Sequence, residues 1–217
     1  MSDRALIVFA RSPVAGRVKS RLTQLLSPQE AADLYRAFLM DSLAQYASLD
    51  VDVRLYMADG GDPGVHLYGA QLKQQYGNGL GERMQHAFRE TAAEGYEQMV
   101  IIGTDHPTLP TEFIVEAYEA LSDVPAVCVG PALDGGYYLL GMAPLICGLF
   151  DEIVYGKPNV LRLTLVRAHE SGASVTRLPV WYDVDTPEDL RRLVSKKTVL
   201  PPATMKIMGV LKTRYGL

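Results

Sequence analysis

Cysteine is almost absent from this chain: two residues in 217, Cys128 and Cys147. Neither belongs to a CxxC or Cys/His spacing, which excludes a disulfide framework and a zinc knuckle, and their apolar neighbours predict buried free thiols. No apolar run approaches the ~20 residues that span a bilayer. After Met1 to Arg4 only six apolar residues precede Arg11, too few for a secretory core. The expectation is a cytoplasmic protein without a membrane span. Positive charge is not in excess either. With 21 Lys and Arg against 25 Asp and Glu the net charge is −4, which argues against a nucleic-acid surface and for small-molecule partners. Nineteen glycines and thirteen prolines are scattered, so neither a low-complexity linker nor a repeat divides the chain.

What is present is a composition 48% hydrophobic, enough for one large core. One domain is expected over 1–195. The tail 196–217, with Pro201, Pro202 and apolar Met205 to Leu211, is expected to pack on that domain or on a partner chain, which leaves a homo-oligomer open. Ala5 to Ala10 is an unbroken apolar run, as in a strand covered on both faces. Ser27, Pro28 and Glu30 form an N-cap, a first-turn proline and a capping-box carboxylate, predicting a helix from Pro28 to about Tyr46. Val51, Val53, Leu55 and Met57 alternate with polar residues, predicting a half-exposed strand. Further helices are predicted over Glu82 to Glu94, from Thr111 as cap to about Leu121, over Asn159 to Ser171, and last from a Thr186 cap with Pro187 in first position. Further strands are predicted at Met99 to Gly103, Ala126 to Val129, Tyr137 to Leu140, and in the mostly extended Val175 to Val184. This alternation predicts an α/β protein with helices on both sides of a mainly parallel sheet, in which ligands gather at the carboxyl ends of strands.

Five segments carry candidate chemistry. The loop Arg11-Ser-Pro-Val-Ala-Gly16-Arg17-Val-Lys19-Ser-Arg21 lies in a stretch, Arg4 to Gln29, without a carboxylate. Gly16 permits close backbone approach there, and Lys19 and Arg21 suit a diphosphate, against the plainer reading of a solvated basic loop. Gly103-Thr104-Asp105-His106-Pro107 places a carboxylate just past a strand, where it either meets a divalent cation or caps a turn. His106 reads as a polar turn residue. In Asp183-Val184-Asp185-Thr186 alternation puts both aspartates on one face, to be compensated by a metal or by backbone donors. Gln75 to Arg83, with Gly79, Leu80 and Gly81, is a glycine-rich turn that can lay backbone against a base or ribose. In Leu133-Asp134-Gly135-Gly136-Tyr137, Asp134 either orients an acceptor and takes its proton or forms a turn.

Taken in order, FARSPVAGRVKSRL, GNGLGERM, GTDHPTLP, GPALDGGYYLLG and WYDVDTPEDL resemble an uncharacterised bacterial family assigned to the nucleotide-diphospho-sugar transferases. The match runs from about Leu6 to Leu193. The resemblance implies the three-layer GT-A glycosyltransferase fold, and is shared with the 2-phospholactate and molybdenum cofactor guanylyltransferases. It implies phosphate contacts from Arg11, Lys19 and Arg21, nucleotide contacts from Gln75 and Gly79 to Gly81, and a Mg2+ or Mn2+ ion on Asp105 and Asp185. Ala10, Gly16 and Arg83 complete the candidate nucleotide site, and Lys19, Asp105 and Asp134 the candidate catalytic set. Val154-Tyr155-Gly156 departs from the family's tryptophan-containing segment near the acceptor region. The expected activity is metal-dependent glycosyl transfer from a nucleotide-diphosphate sugar to a small-molecule acceptor. The alternatives are nucleotidyl transfer from a triphosphate with release of pyrophosphate, and a non-catalytic nucleotide-binding module.

Overall fold

The computed structural model describes residues 3–195 and 199–217. Its centre is strand β1, Arg4–Ala10, flanked in parallel by β2, Asp52–Met57, and β4, Gln98–Ile102. Strand β3, Gln71–Gln74, extends one side beyond β2. On the other side come β6, Tyr137–Ala143, antiparallel to β4, then β5, Ala126–Pro131, and β7, Ser174–Arg177. The order is β3-β2-β1-β4-β6-β5-β7. The chain leaves β1 toward β2 on one side and returns through β4 on the other. A crevice therefore opens between the carboxyl ends of β1 and β4, where doubly wound sheets take ligands.

Alternation within each strand divides the core between two faces. Leu6, Val8, Val100 and Ile102 meet helices α1, Pro28–Tyr46, and α3, Thr111–Ala120. Ala5, Ile7, Met99 and Ile101 meet α2, Leu80–Ala93, and α4, Val160–Glu170. This is the three-layer α/β/α arrangement that the continuous apolar runs predicted. A further cluster joins Leu34 and Phe38 of α1 to Val184, to Leu190 of α5, Pro187–Ser195, and to Met208 and Leu211 of α6, Pro202–Tyr215. Helix α6 lies beyond the helix taken from sequence as the last, and it packs on α1. The expected boundary at 195/196 adjoins residues 196–198, outside the described residues.

Other expectations change for physical reasons. Strand β2 is buried from Arg54 to Met57 rather than half-exposed. Its polar Arg54 is covered because it pairs with Glu94 and lies 4.9 Å from the Tyr96 ring centre. Strand β3 escaped notice because its sequence, QLKQ, is that of a largely exposed edge. Thr111 is the first residue of α3 and Pro110 its N-cap, so Thr111 does not cap it. Cys128 is buried as expected, but Cys147 is exposed at the start of a 3-10 turn, Cys147–Phe150. Among the described residues no helix is long and apolar enough to cross a membrane.

The seam between α1 and α6 carries a titratable clasp. The Glu30 carboxylate accepts from the Ser27 amide at 2.8 Å and the Ser27 hydroxyl at 2.7 Å, completing the capping box. It also accepts from the Tyr215 hydroxyl at 2.7 Å and pairs with Arg214. The Tyr215 hydrogen bond is the largest influence; with the Ser27 donors and Arg214 it outweighs desolvation and lowers the Glu30 pKa to about 2. A carboxyl held below its unfolded value near 4.5 stabilises the fold above that pH, and the benefit is lost as pH falls toward 2. The wild-type urea midpoint should therefore fall between pH 6 and pH 3 by more than that of Glu30→Gln; equal falls would show that the clasp is not linked to protonation.

Candidate active site

The crevice is a cavity of about 710 Å3. Its lining includes the buried Lys19, whose loop leaves β1 in an unusual shape: Lys19 itself has φ 48° and ψ 40°. A side chain other than glycine in the left-handed region stores strain, and that conformation persists because surrounding contacts over-determine it. Here those contacts are ionic. Lys19 Nζ lies 2.7 Å from Asp105 Oδ1 and 2.9 Å from Asp185 Oδ1, with the lysine side chain 3% exposed. The Phe38 ring centre lies 5.9 Å from the ammonium. Burial alone would lower the lysine pKa, but Asp105 and then Asp185 outweigh it and raise it, so the ammonium stays charged.

The loops that bring these groups together are tied to the scaffold. Tyr35 of α1 accepts the Arg11 amide at 3.0 Å and the Thr104 hydroxyl at 3.2 Å, joining the ends of β1 and β4. The Val184 amide donates to the Asp105 carbonyl at 2.8 Å, laying the second acidic segment beside the first. Asp189 accepts the Thr186 amide at 2.9 Å and hydroxyl at 2.7 Å, and its own amide donates to the Thr186 hydroxyl at 3.2 Å, so Thr186 caps α5 as expected. Gln75 is buried and donates Nε2 to the carbonyls of Tyr56, at 2.8 Å, and Ala10, at 3.3 Å, closing the β1–β2 side. In the glycine-rich turn Gly77 has φ 135°, and a Cβ on it would lie 2.7 Å from Glu82 Cβ, so only glycine fits. Its carbonyl accepts Arg83 Nε at 3.0 Å.

The structure brings Ala10, Arg11, Lys19, Gln75, Gly79, Leu80, Arg83, Asp105 and Asp185 to this one cavity. It does not bring the other four. Gly16 turns the loop with φ 77°, and Arg21 is exposed on the 3-10 turn Ser20–Gln24, both outside the lining. Gly81 lies under Tyr155, where a Cβ would stand 2.4 Å from the ring, so this glycine serves packing. Asp134 accepts the Gly136 amide at 2.9 Å, the turn that was its alternative reading, and the Gly135 carbonyl accepts the Leu161 amide at 3.0 Å, mooring the loop to α4. Arg17 of the basic loop also lines the cavity, and His106, read from the sequence as a polar turn residue, is buried in the lining rather than sitting in an open turn. Its Nδ1 is 3.5 Å from Asp183 Oδ1, and its ring centre is 5.8 Å from that of Tyr138. Adjacency to Asp105 was the available signal for His106.

The donor set suits a hard divalent cation. The side chains of Asp105 and Asp185 remain 42% and 43% exposed toward the cavity, and Mg2+ typically takes one or two carboxylates and completes its shell with phosphate oxygens and water. Among the described residues no group of three or more His, Cys, Asp or Glu converges, so such an ion would depend on substrate oxygens. Lys19 already occupies the inner oxygens and repels any cation placed there. Lys19→Met should accordingly tighten Mn2+ binding about tenfold or more in the absence of nucleotide, measured by electron paramagnetic resonance titration; weaker binding would show that the ammonium supports the ion instead. Asp105→Asn and Asp185→Asn should cost more together than the sum of the single changes, toward about 3–5 kcal/mol, because only the double variant leaves a buried ammonium unpaired. Urea unfolding of the four proteins measures this.

Residues 40–157 match the model of a family described as uncharacterized protein conserved in bacteria (DUF2064). No curated protein matches significantly. The solved structure of a "putative nucleotide-diphospho-sugar transferase" from Desulfovibrio desulfuricans G20 superposes with a TM-score of 0.88 and 31% identity, covering 99% of each chain. Rv0371c of Mycobacterium tuberculosis H37Rv in complex with manganese is 20% identical with a TM-score of 0.53, over 90% of this chain and all of that one. CMP:2-keto-3-deoxy-manno-octonic acid synthetase complexed with CTP is 12% identical with a TM-score of 0.52, over 88% and 97%. At the last two identities the likeness concerns the fold.

Proposed function

The chain belongs to the bacterial family DUF2064 and has the nucleotide-diphospho-sugar transferase fold, and from that premise we propose that it transfers a glycosyl group from a nucleotide-diphosphate sugar to a small-molecule hydroxyl acceptor. It is a transferase. The observation that carries this reading is the buried Lys19 ammonium held by two partly exposed carboxylates in the lining of a cavity of about 710 Å3. A Mg2+ or Mn2+ ion on Asp105 and Asp185 would supply Lewis-acid stabilisation of the departing diphosphate.

The chain's own groups divide the remaining work. Lys19, once a polyanion enters, is the nearest fixed positive charge for the leaving group, placed before reaction and shielded from water. Arg11 and Arg83 line the same cavity and add charge toward the diphosphate. Gly79 caps α2 without a side chain, so the first amides of that helix are open to an anion or a ribose hydroxyl. Gln75 and Ala10 form the wall against which a base is laid. Tyr137, Tyr138 and Asp183 line the same cavity and remain for the acceptor. Nucleotidyl transfer from a triphosphate is the second reading, favoured by Arg11 and Arg17, whose side chains make no ion pair or hydrogen bond among the described residues and would suit a more highly charged phosphate chain.

The two reactions differ in the bond broken. Incubation with Mn2+, a panel of nucleotide sugars and candidate hydroxyl acceptors should release nucleoside diphosphate, whereas pyrophosphate release from a triphosphate with candidate phosphorylated acceptors would select the second reading. In either case Lys19→Ala should lower kcat by about 10^2 to 10^3, since one preorganised charge at a developing anion contributes that much. Unchanged turnover in Lys19→Ala would sink both.

A further inference from the structure

The lining of the cavity also holds polar groups that neither the diphosphate nor a cation calls for: Thr104, His106, Tyr137, Tyr138 and Asp183. Three of them are committed elsewhere. The Thr104 hydroxyl donates to that of Tyr35 at 3.2 Å, the Tyr137 hydroxyl to that of Tyr155 at 3.3 Å, and the Tyr138 hydroxyl to the Pro179 carbonyl at 3.0 Å. His106 is different. Its side chain is 1% exposed, and neither ring nitrogen has a hydrogen-bond partner among the described residues. Nδ1 stands 3.5 Å from Asp183 Oδ1, longer than a hydrogen bond, and the Asp183 side chain makes no other ion pair or hydrogen bond among the described residues. The backbone sets the two side by side: the Val184 amide donates to the Asp105 carbonyl at 2.8 Å, and the Leu109 amide to the His106 carbonyl at 3.0 Å. A buried polar group without a partner is costly, and an apolar side chain of the same shape would serve the fold as well. The ring nitrogens therefore call for a use outside the fold.

We propose that His106 and Asp183 form a hydroxyl-recognition site, in which Nδ1–H donates to Asp183 and Nε2 accepts a hydrogen bond from a substrate hydroxyl. In a neutral imidazole one nitrogen donates and the other accepts, and the partner of the first fixes the tautomer. An ionised carboxylate only accepts, so the nitrogen facing Asp183 carries the proton and the lone pair is left on Nε2. Asp183, which lines the cavity too, can accept from a second hydroxyl. A site made of two acceptors refuses an ionised phosphate, which has no proton to donate, and selects a group rich in hydroxyls, a sugar or a polyol. His106 is thus a specificity-determining residue for the part of the substrate that is not phosphate. The inference deepens the transferase reading and rests on it in placing a nucleotide diphosphate in the same cavity. The hydroxyl has two sources, the sugar of the donor or a separate polyol acceptor.

Wild type, His106→Phe, His106→Gln and Asp183→Ala separate these cases. UDP-glucose, dTDP-glucose, ADP-glucose and GDP-mannose, each beside its own nucleoside diphosphate, are titrated calorimetrically with Mn2+. His106→Phe keeps a ring against Tyr138, 5.8 Å away between centres, and removes the nitrogens, so its melting temperature should equal or exceed that of wild type. His106→Gln can set an amide oxygen near the place of Nε2 and controls for packing. If the hydroxyl belongs to the donor, the ratio of nucleotide-sugar to diphosphate affinity falls about tenfold or more in His106→Phe and Asp183→Ala. Diphosphate affinity in His106→Phe stays as in wild type, and His106→Gln keeps most of the ratio. If the hydroxyl belongs to an acceptor, the ratio is unchanged, yet glucose, glycerol or myo-inositol binds the diphosphate-loaded wild type in saturation-transfer NMR, and that signal is lost in His106→Phe and kept in His106→Gln. A ratio and a polyol signal that are the same in wild type and His106→Phe would overturn the site. So would a loss in His106→Gln as complete as in His106→Phe, or a loss of diphosphate affinity in His106→Phe as large as that of the nucleotide sugar. Polyol binding that depends on His106 in a protein that takes no nucleotide would leave this site standing and remove the transferase reading. Turnover of a nucleotide sugar that none of the three variants alters would do the reverse.

Discussion

The organisation of the cavity depends on one buried positive charge. An ammonium 3% exposed is stable only with counter-charge. Asp105 arrives from the end of β4 and Asp185 from the segment before α5, so the fold must bring two segments, about 80 residues apart in sequence, to one atom of the β1 loop. The parallel pairing of β1 with β4 does most of this. The hydrogen bond from Val184 to the Asp105 carbonyl does the rest. The left-handed backbone of Lys19 is explained by the same requirement: the loop takes an unfavourable shape because it is the shape that delivers the ammonium.

The same geometry accounts for what the cavity can and cannot hold. Its floor is electrically balanced, with one ammonium against two carboxylates whose outer sides face solvent. Its outer wall is cationic, and the Asp59 carboxylate within it is occupied by Ser12 and Gly61. Despite desolvation, those donors hold the Asp59 carboxyl below its ordinary value. The outer wall thus keeps positive charge that Asp59 does not neutralise, while the outer sides of the Asp105 and Asp185 carboxylates stay open at the floor.

Signals confined to one segment were readable without coordinates. The apolar run of β1 indicated its two-sided burial, and the Ser27, Pro28, Glu30 pattern located the start of α1. The Thr186 cap was legible for the same reason, because Thr186 and the Asp189 amide it accepts lie three residues apart. Features decided by distant partners were not. Arg54 is buried in β2 because Glu94 and Tyr96 wait for it, and no pattern near residue 54 states this. Among the candidate site residues, Lys19, Asp105 and Asp185 were each plausible locally, and their convergence is what distinguishes them from Asp134, whose carboxylate is satisfied within its own turn. The departure at Val154-Tyr155-Gly156 acquires a physical meaning in the fold: Tyr155 covers Gly81, and its hydroxyl meets that of Tyr137 at 3.3 Å.

Helix α6 has a consequence for the order in which the protein can be completed. It covers Leu34 and Phe38 on α1, and Asp41 of α1 accepts the amides of Ala203, at 3.0 Å, and Thr204, at 2.7 Å. These partners lie more than 160 residues apart along the chain. During synthesis, α1 leaves the ribosome early and must wait for residues 202–215 with its outer apolar stripe uncovered, the condition under which nascent chains recruit chaperones or associate wrongly. The helix that carries Tyr35 gains this outer support only when α6 emerges.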